Sequence, residues 1–482
     1  MTLPPGSRAL ALAKVLVLAG AAFLIERSAT APSAYAIPAF ARKYQTSCST
    51  CHNNFPELND FGEAFKKNGL KFPQNDEQFI KEPPVLLGAK AQRQVFPKAV
   101  YPGEIPGSIP IGFRYSGFAA YNSKQPLALV HDQGFIPRTD LFVPNTFTII
   151  SAGSFGDSLS FWIDDDISTG GSGAQGGLGD GYLKVNDLGH YLKLPKDALN
   201  LRFGQFELDL PFTQARTINL TDYDIYDQAS TAGSLGTTSN PFVFAAPQRG
   251  IEIGGYPNDG YFTWSVTALN GSNDSPAGRN SKDIYVRVSQ RFNLERDAKS
   301  RKEVQASGPT GPRDHTSIRF GGFYYYGRNA LNLDGMLAPG FGTIHEPFYR
   351  VGGDLRFKYR NLELWGLEMY GRDQNLIPNT DTGFLLHGTP VTFSGGFVEA
   401  EYWFHPWVIG IMRYDAVNSP TDFLNGVSRH NTRNRFSPGL QFLVRANIKT
   451  VFEYQRQFEK PSGTDNQFFR PNGFLLGIDY NF

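Results

Sequence analysis

Cys48, Cys51 and His52 are the residues whose types and spacing most clearly imply chemistry. They stand in "YQTSCSTCHNNFPEL", and these are the two cysteines of a 482-residue chain. A C-x-x-C-H segment suits covalent haem: two thiolates add to the two vinyl groups, and the adjacent histidine turns back to ligate the iron. A zinc site calls for about four ligands, and the chain has no further cysteine to supply them. A thioredoxin-type redox pair belongs in a βαβ pattern, and none follows. The motif therefore predicts one haem c, with Cys48 and Cys51 as attachment points and His52 as proximal iron ligand.

The segments around the motif must export and position it. Residues 1–36 read as a signal peptide: Arg8 and Lys14 are basic, Val15–Ile25 is apolar, and Ala34–Ala36 is an A-x-A cleavage site. The apolar run is eleven residues, short of the roughly 20 a spanning helix needs. Residues 37–82 read as a small helical unit. Phe55, Leu58, Phe61 and Phe65 recur at helical spacing, Pro56 suits a first turn and Gly69 a stop. This predicts a helix beginning near Pro56 whose aromatic stripe walls the cofactor. Residues 83–109 form a connector that includes "VLLGAKAQRQVF".

Residues 110–482 alternate with a period of two. Ile284, Val286 and Val288 oppose Tyr285, Arg287, Ser289 and Arg291; Val398, Ala400, Tyr402 and Phe404 oppose Glu399, Glu401 and Trp403; Leu440, Phe442, Val444 and Ala446 oppose Gln441 and Arg445. One face is apolar and the other charged, over strands of about ten residues, as in a tilted membrane crossing. The chain ends "GFLLGIDYNF", alternating to a terminal Phe482. A soluble protein avoids such an exposed apolar edge. The expected fold is an all-β transmembrane barrel of about sixteen antiparallel strands, preceded by a small α-helical unit. Short periplasmic turns fall at 153–157, Pro257, Arg360, His405–Pro406 and Asn447; 186–198 and 293–314 are longer connections on that same side. Long extracellular connections fall at 169–180, 209–247, 270–281, 327–346, 373–394, 417–434 and 459–472. With 46 basic and 45 acidic residues the net charge is +1, which gives no concentrated basic surface for nucleic acid.

In this layout, and most specifically in residues 36–72, the chain resembles the fused outer-membrane cytochrome–porins associated with iron(II) oxidation. The F-A-R approach, the C-x-x-C-H motif, Pro56, Leu58, Asn59, Phe61, Gly62 and Phe65 carry the resemblance. It implies a monohaem c-type cytochrome domain at 37–82 and a porin-like barrel at 110–482. It implies Cys48 and Cys51 as thioether sites and His52 as haem-iron ligand. The implied role is electron transfer in the outer membrane rather than bond-making catalysis. Extracellular Fe(II) would be the donor, a periplasmic soluble cytochrome or other redox protein the acceptor, and outer-membrane lipid the surroundings. A haem-bearing diffusion porin, or the same wire exporting electrons to an extracellular acceptor, are the alternatives. The sixth iron ligand is open: Met369 and Met412 lie on strands, Met1 and Met336 do not, and the histidines that could serve include His131, His190, His345, His387, His405 and His430. In the 209–247 loop Asp209, Asp222, Asp224 and Asp227 are carboxylates suited to a hard divalent ion.

Overall fold

The computed structural model describes residues 39–482, apart from 87–93, 99–103, 124–136, 168–176, 213–219, 232–241, 272–279, 295–315, 333–339, 459–469 and breaks of one to four residues. The signal segment 1–36 lies outside the described residues. No helix among them is long and apolar enough to cross a membrane.

Sixteen antiparallel strands close into a barrel. They are β1 (Ile111–Asn122), β2 (Thr139–Phe155), β3 (Leu159–Asp166), β4 (Gly177–Val185), β5 (Asn200–Phe206), β6 (Gln248–Gly255), β7 (Phe262–Leu269), β8 (Asp283–Asn293), β9 (Ser317–Asn332), β10 (Thr343–Tyr359), β11 (Leu362–Asp373), β12 (Val391–His405), β13 (Val408–Asn418), β14 (Arg433–Arg445), β15 (Ile448–Gln457) and β16 (Gly473–Asn481). The last strand pairs with the first, from Gly473 opposite Asn122 to Asn481 opposite Arg114. Phe482 exchanges both backbone hydrogen bonds with Phe113. Closure leaves no unpaired edge, as strands in hydrocarbon require.

The alternation resolves into an outside and an inside. Val398 (62% exposed), Met412 (62%) and Phe474 (59%) face outward, whereas Glu399, Glu401, Arg287, Gln441 and Asp479 are buried toward the lumen. An apolar outer belt around a charged interior is the architecture of a bacterial outer-membrane barrel. The tight turns fall where the alternation predicts them, at 360–361, 406–407 and 446–447. One expected long connection is shorter: β9 runs on to Asn332 and β10 begins at Thr343, so the 327–346 connection narrows to 333–342. The described residues of the connector contribute no barrel strand; Val85–Leu86 pairs with Glu104–Ile105 instead.

Two segments enter the lumen. The first is the N-terminal unit, with α1 (Ala39–Tyr44), α2 (Asp60–Lys67) and α3 (Asp76–Phe79). Its main helix starts later than the aromatic spacing predicts. Residues His52–Asn54 and Glu57–Leu58 pair as a tight hairpin, and Asn59 caps α2, its side chain accepting from Gly62 N at 2.8 Å. The cap and the hairpin use the backbone that a longer helix would need. Gly69 is the stop as expected: it takes φ +72°, and Leu70 N reaches back to Phe65 O at 3.0 Å.

The second is the β5–β6 connection, expected to be extracellular. It carries α4 (Asp224–Thr231), and its Tyr223, Ile225, Tyr226, Phe242 and Phe244 are buried among the luminal side chains Tyr285, Phe323, Tyr325 and Phe397. A row of aromatic residues in a loop is too costly to leave in water when a lumen can bury it.

Candidate functional site in the lumen

Cys48–Thr50 forms a single 3-10 turn closed by Cys51 N donating to Cys48 O (3.2 Å). The turn is fastened from behind. Asn59 N donates to Cys51 O (3.0 Å) and Asn59 Nδ2 to Thr50 O (3.1 Å). The first turn of α2 lies so close that a Cβ on Gly62 would stand 2.0 Å from Cys51 O. Only glycine permits that approach.

Cys48, Cys51 and His52 all open onto one cavity of about 640 Å³, inside the ~300–1,000 Å³ range of cofactor and ligand sites. Its walls come from both parts of the chain: Phe40, Phe55 and Phe65 from the N-terminal unit, Ile150, Trp162 and Ile478 from the barrel. Phe65 is buried against Tyr44, which stacks on Phe72 at 4.3 Å. Phe61, expected in the stripe, turns to the Phe72 ring (5.0 Å) and does not line the cavity.

His52 Nδ1 lies 3.2 Å from both Pro56 O and Glu57 O. Carbonyls only accept, so the proton sits on Nδ1 and the Nε2 lone pair is free. Burial pushes the imidazole down to about 4, which keeps it neutral. Burial pushes both thiols up, Cys51 to about 12. Burial, reinforced by Glu363, raises the Glu57 carboxyl. Two thiols, a neutral imidazole with its second nitrogen tied to carbonyls, and apolar walls fit a c-type haem.

The barrel grips the unit by charge and hydrogen bonds near the end that carries the tight turns. Lys449 Nζ donates to Phe55 O (2.6 Å), Arg356 Nη2 pairs with Glu57 (3.0 Å), and Asp60 pairs with Arg291 (3.3 Å) and Lys358 (3.5 Å). Asn54 reaches Gln441, and Arg42 donates to Ile111 O (2.8 Å). Arg291 and Gln441 stand on the charged face that the alternation marks, whereas Arg356, Lys358 and Lys449 escaped the sequence reading. Their one visible signal is the charge on the non-lipid face of β10 and β15.

Among the described residues no methionine and no second histidine lines the cavity. Met412 points outward, as its strand face predicts, and Met369 is buried in the aromatic cluster of the lumen. His190, His345 and His405 are exposed, His405 stacking on Trp407. Met1, Met336, His131, His430 and the His387 side chain lie outside the described residues. The acidic loop is not assembled as an ion site. Asp224 pairs with Arg470 (2.7 Å) and Arg435 (3.2 Å), Asp227 with Arg433 (2.7 Å), and Asp209 and Asp222 offer backbone carbonyls to Tyr285, Arg413 and Arg435. Guanidinium groups occupy the Asp224 and Asp227 carboxylates.

No family model and no curated protein matches the chain. Among solved structures it is similar to Salmonella typhi OmpF in complex with daunomycin (12% identity, TM-score 0.49, 77% of this chain and 97% of that one). It is also similar to an anion-selective porin from Comamonas acidovorans (10% identity, TM-score 0.48, 77% and 98%). A third is the outer-membrane channel DcaP of Acinetobacter baumannii (14% identity, TM-score 0.43, 77% and 96%). At such identities and scores the likeness reaches none of the chemistry, and the fold rests on the closed strand ladder itself.

Proposed function

We propose that the chain is a monohaem cytochrome–porin fusion that carries electrons across the outer membrane, from extracellular Fe(II) to a soluble redox carrier in the periplasm. The observation that carries this reading is the convergence of Cys48, Cys51 and His52 on one luminal cavity, with His52 Nδ1 committed to carbonyls. When bound, haem c supplies a one-electron iron couple. Cys48 and Cys51 hold it covalently. His52 is oriented by Pro56 O and Glu57 O so that Nε2 is the donor. Phe40, Phe65 and Trp162 keep water from the site, and Asn59 with Gly62 fixes the thiol turn.

The location supports the role. A hydrocarbon core is ~30 Å thick, and a cofactor must sit within the lumen to serve both sides. The lumen is also occupied by α4 and its aromatic neighbours, which favours passage of electrons over passage of solutes. The direction of flow is set by the potentials of donor and acceptor.

The test is a haem stain on denatured protein followed by anaerobic titration with Fe(II). Wild type is expected to stain covalently and to develop reduced c-type bands. The Cys48→Ala/Cys51→Ala variant is expected to keep its heat-modifiable barrel without staining. Covalent staining in that variant overturns the site, and a haem that Fe(II) leaves oxidised overturns the donor.

A further inference from the structure

A second constellation lies beside the first, at the junction of the N-terminal unit with the barrel wall. Glu57 of the unit, Glu363 of β11 and Glu401 of β12 bring one carboxylate oxygen each within 4.8 Å of one another. All three are buried, Glu57 at 3% exposure and Glu401 at 1%. Opposite oxygens around a bound divalent ion stand roughly 4–5 Å apart, twice the metal–oxygen distance.

Arg356 and Lys358 face the group. Arg356 Nη2 is 3.0 Å from Glu57 Oε1 and its Nε contacts Glu363; Lys358 Nζ is 3.8 Å from Glu363 Oε2. Two cations do not satisfy the oxygens. Glu57 Oε2 and Glu401 Oε2 have no hydrogen-bond partner, and neither has Asn53 Oδ1, at 7% exposure. Asn53 is aimed into the group: its Nδ2 donates to Glu57 Oε1 (2.6 Å) and Glu363 Oε2 (3.2 Å). A half-turn of that amide exchanges Nδ2 for Oδ1 and presents a fourth oxygen to the same point. Buried carboxylate oxygens without donors are costly, and a cation supplies what the protein does not.

We propose that Glu57, Glu363 and Glu401, with the Asn53 amide oxygen, form a divalent-cation site that clamps the N-terminal unit to the barrel wall. An all-oxygen donor set selects a hard ion of the Mg(II), Ca(II), Mn(II) or Fe(II) kind. Two ligands come from the hairpin that begins at His52 and two from adjacent strands, so the ion bridges the units. The site does not depend on haem being attached.

The experiment is a Mn(II) titration of the full-length, detergent-folded protein, read by loss of the free Mn(II) electron-resonance signal. One tightly held ion per chain is expected. Glu363→Gln and Glu401→Gln are each expected to weaken binding by more than about tenfold while the barrel stays heat-modifiable. Mn(II) is also expected to slow trypsin cleavage within residues 39–110 of wild type, and a chelator to restore it. The Cys48→Ala/Cys51→Ala variant is expected to bind Mn(II) like wild type, which separates this site from the haem reading. Wild type that takes up no Mn(II) at millimolar concentration overturns the proposal, as does uptake undiminished in both glutamine variants. Binding that leaves the trypsin rate unchanged refutes the clamp.

Discussion

Gly62→Ala tests whether the thiol turn is held by the helix behind it. A Cβ at this position would stand 2.0 Å from Cys51 O, 2.9 Å from the Cys51 carbonyl carbon and 2.9 Å from Leu58 Cδ2. The obstacle is backbone, which cannot swing aside as a side-chain tip can. Ordinary carbon–oxygen contact needs more than about 3.3 Å, so α2 must retreat by roughly 1 Å. That retreat stretches the two bonds from Asn59 to Cys51 O and Thr50 O. Overpacking costs about 1–3 kcal/mol, and each weakened hydrogen bond about 0.5–1.5 kcal/mol. The N-terminal unit is therefore expected to lose about 2–6 kcal/mol of local stability, while the barrel, which makes none of these contacts, keeps its own. The assay pairs covalent haem content per chain with the trypsin rate over residues 39–110. A several-fold fall in haem content, faster cleavage and unchanged heat-modifiability are expected. Wild-type haem content together with a wild-type cleavage rate refutes the argument that α2 fixes the motif.

Asp224→Ala removes the carboxylate that Arg435 and Arg470 share and leaves Arg435 with Asp415 and the Asp222 carbonyl, a loss of about 1.5–3 kcal/mol in the plug; single-channel recording is expected to show more frequent openings than wild type. Deleting residues 37–82 alone is expected to raise conductance only partly, because α4 remains in place; removing 213–241 as well is expected to give steady open-channel current. Burial by itself would raise the Asp60 carboxyl, but Lys358, Arg291, Arg356 and Arg319 together hold it well below the usual range. Its docking contribution is thus complete above the unfolded value of about 3.9 and is lost as pH falls below that toward the folded value. Asp60→Asn is expected to speed trypsin cleavage at pH 7 and to flatten the acid dependence of cleavage by pepsin below about pH 4.

The barrel was legible because alternation is a local property. Each strand announces its two faces by itself, and the assignment of Val398 outward and Glu399 inward needs no knowledge of the neighbours. The motif was legible for the same reason, since Cys48, Cys51 and His52 are adjacent in sequence. What escaped is non-local. Glu57 meets Glu363 and Glu401 only because the hairpin docks against the luminal face of β11 and β12, and no spacing encodes that. The helix start was misplaced because Phe55 and Leu58 have the period of a helix while Asn59 has the chemistry of a cap. Here the cap prevailed. The inward fold of the β5–β6 connection had a signal that loop length obscured: Tyr223, Ile225, Tyr226, Phe242 and Phe244 are too apolar for an extracellular loop.

The two luminal segments bear on each other. Trp162 packs against the aromatic cluster of the N-terminal unit and also against the cluster built around α4. The cavity that holds the thiols is likewise lined on its far side by Glu207, Leu220 and Asp222, which belong to the β5–β6 connection. The connection and the N-terminal unit therefore share the walls of one cavity. A solute would have to displace both, breaking the buried Asp224–Arg435 pair on one side and the Glu57–Arg356 pair on the other. An electron needs no such opening, because it requires proximity and a dry, fixed surround rather than a water-filled path. On the electron-transfer reading proposed above, this packing is the dry, fixed surround that a redox centre would require. It also makes the β5–β6 connection, rather than the outer loops, the segment whose substitutions are expected to change access from outside the cell without changing cofactor attachment.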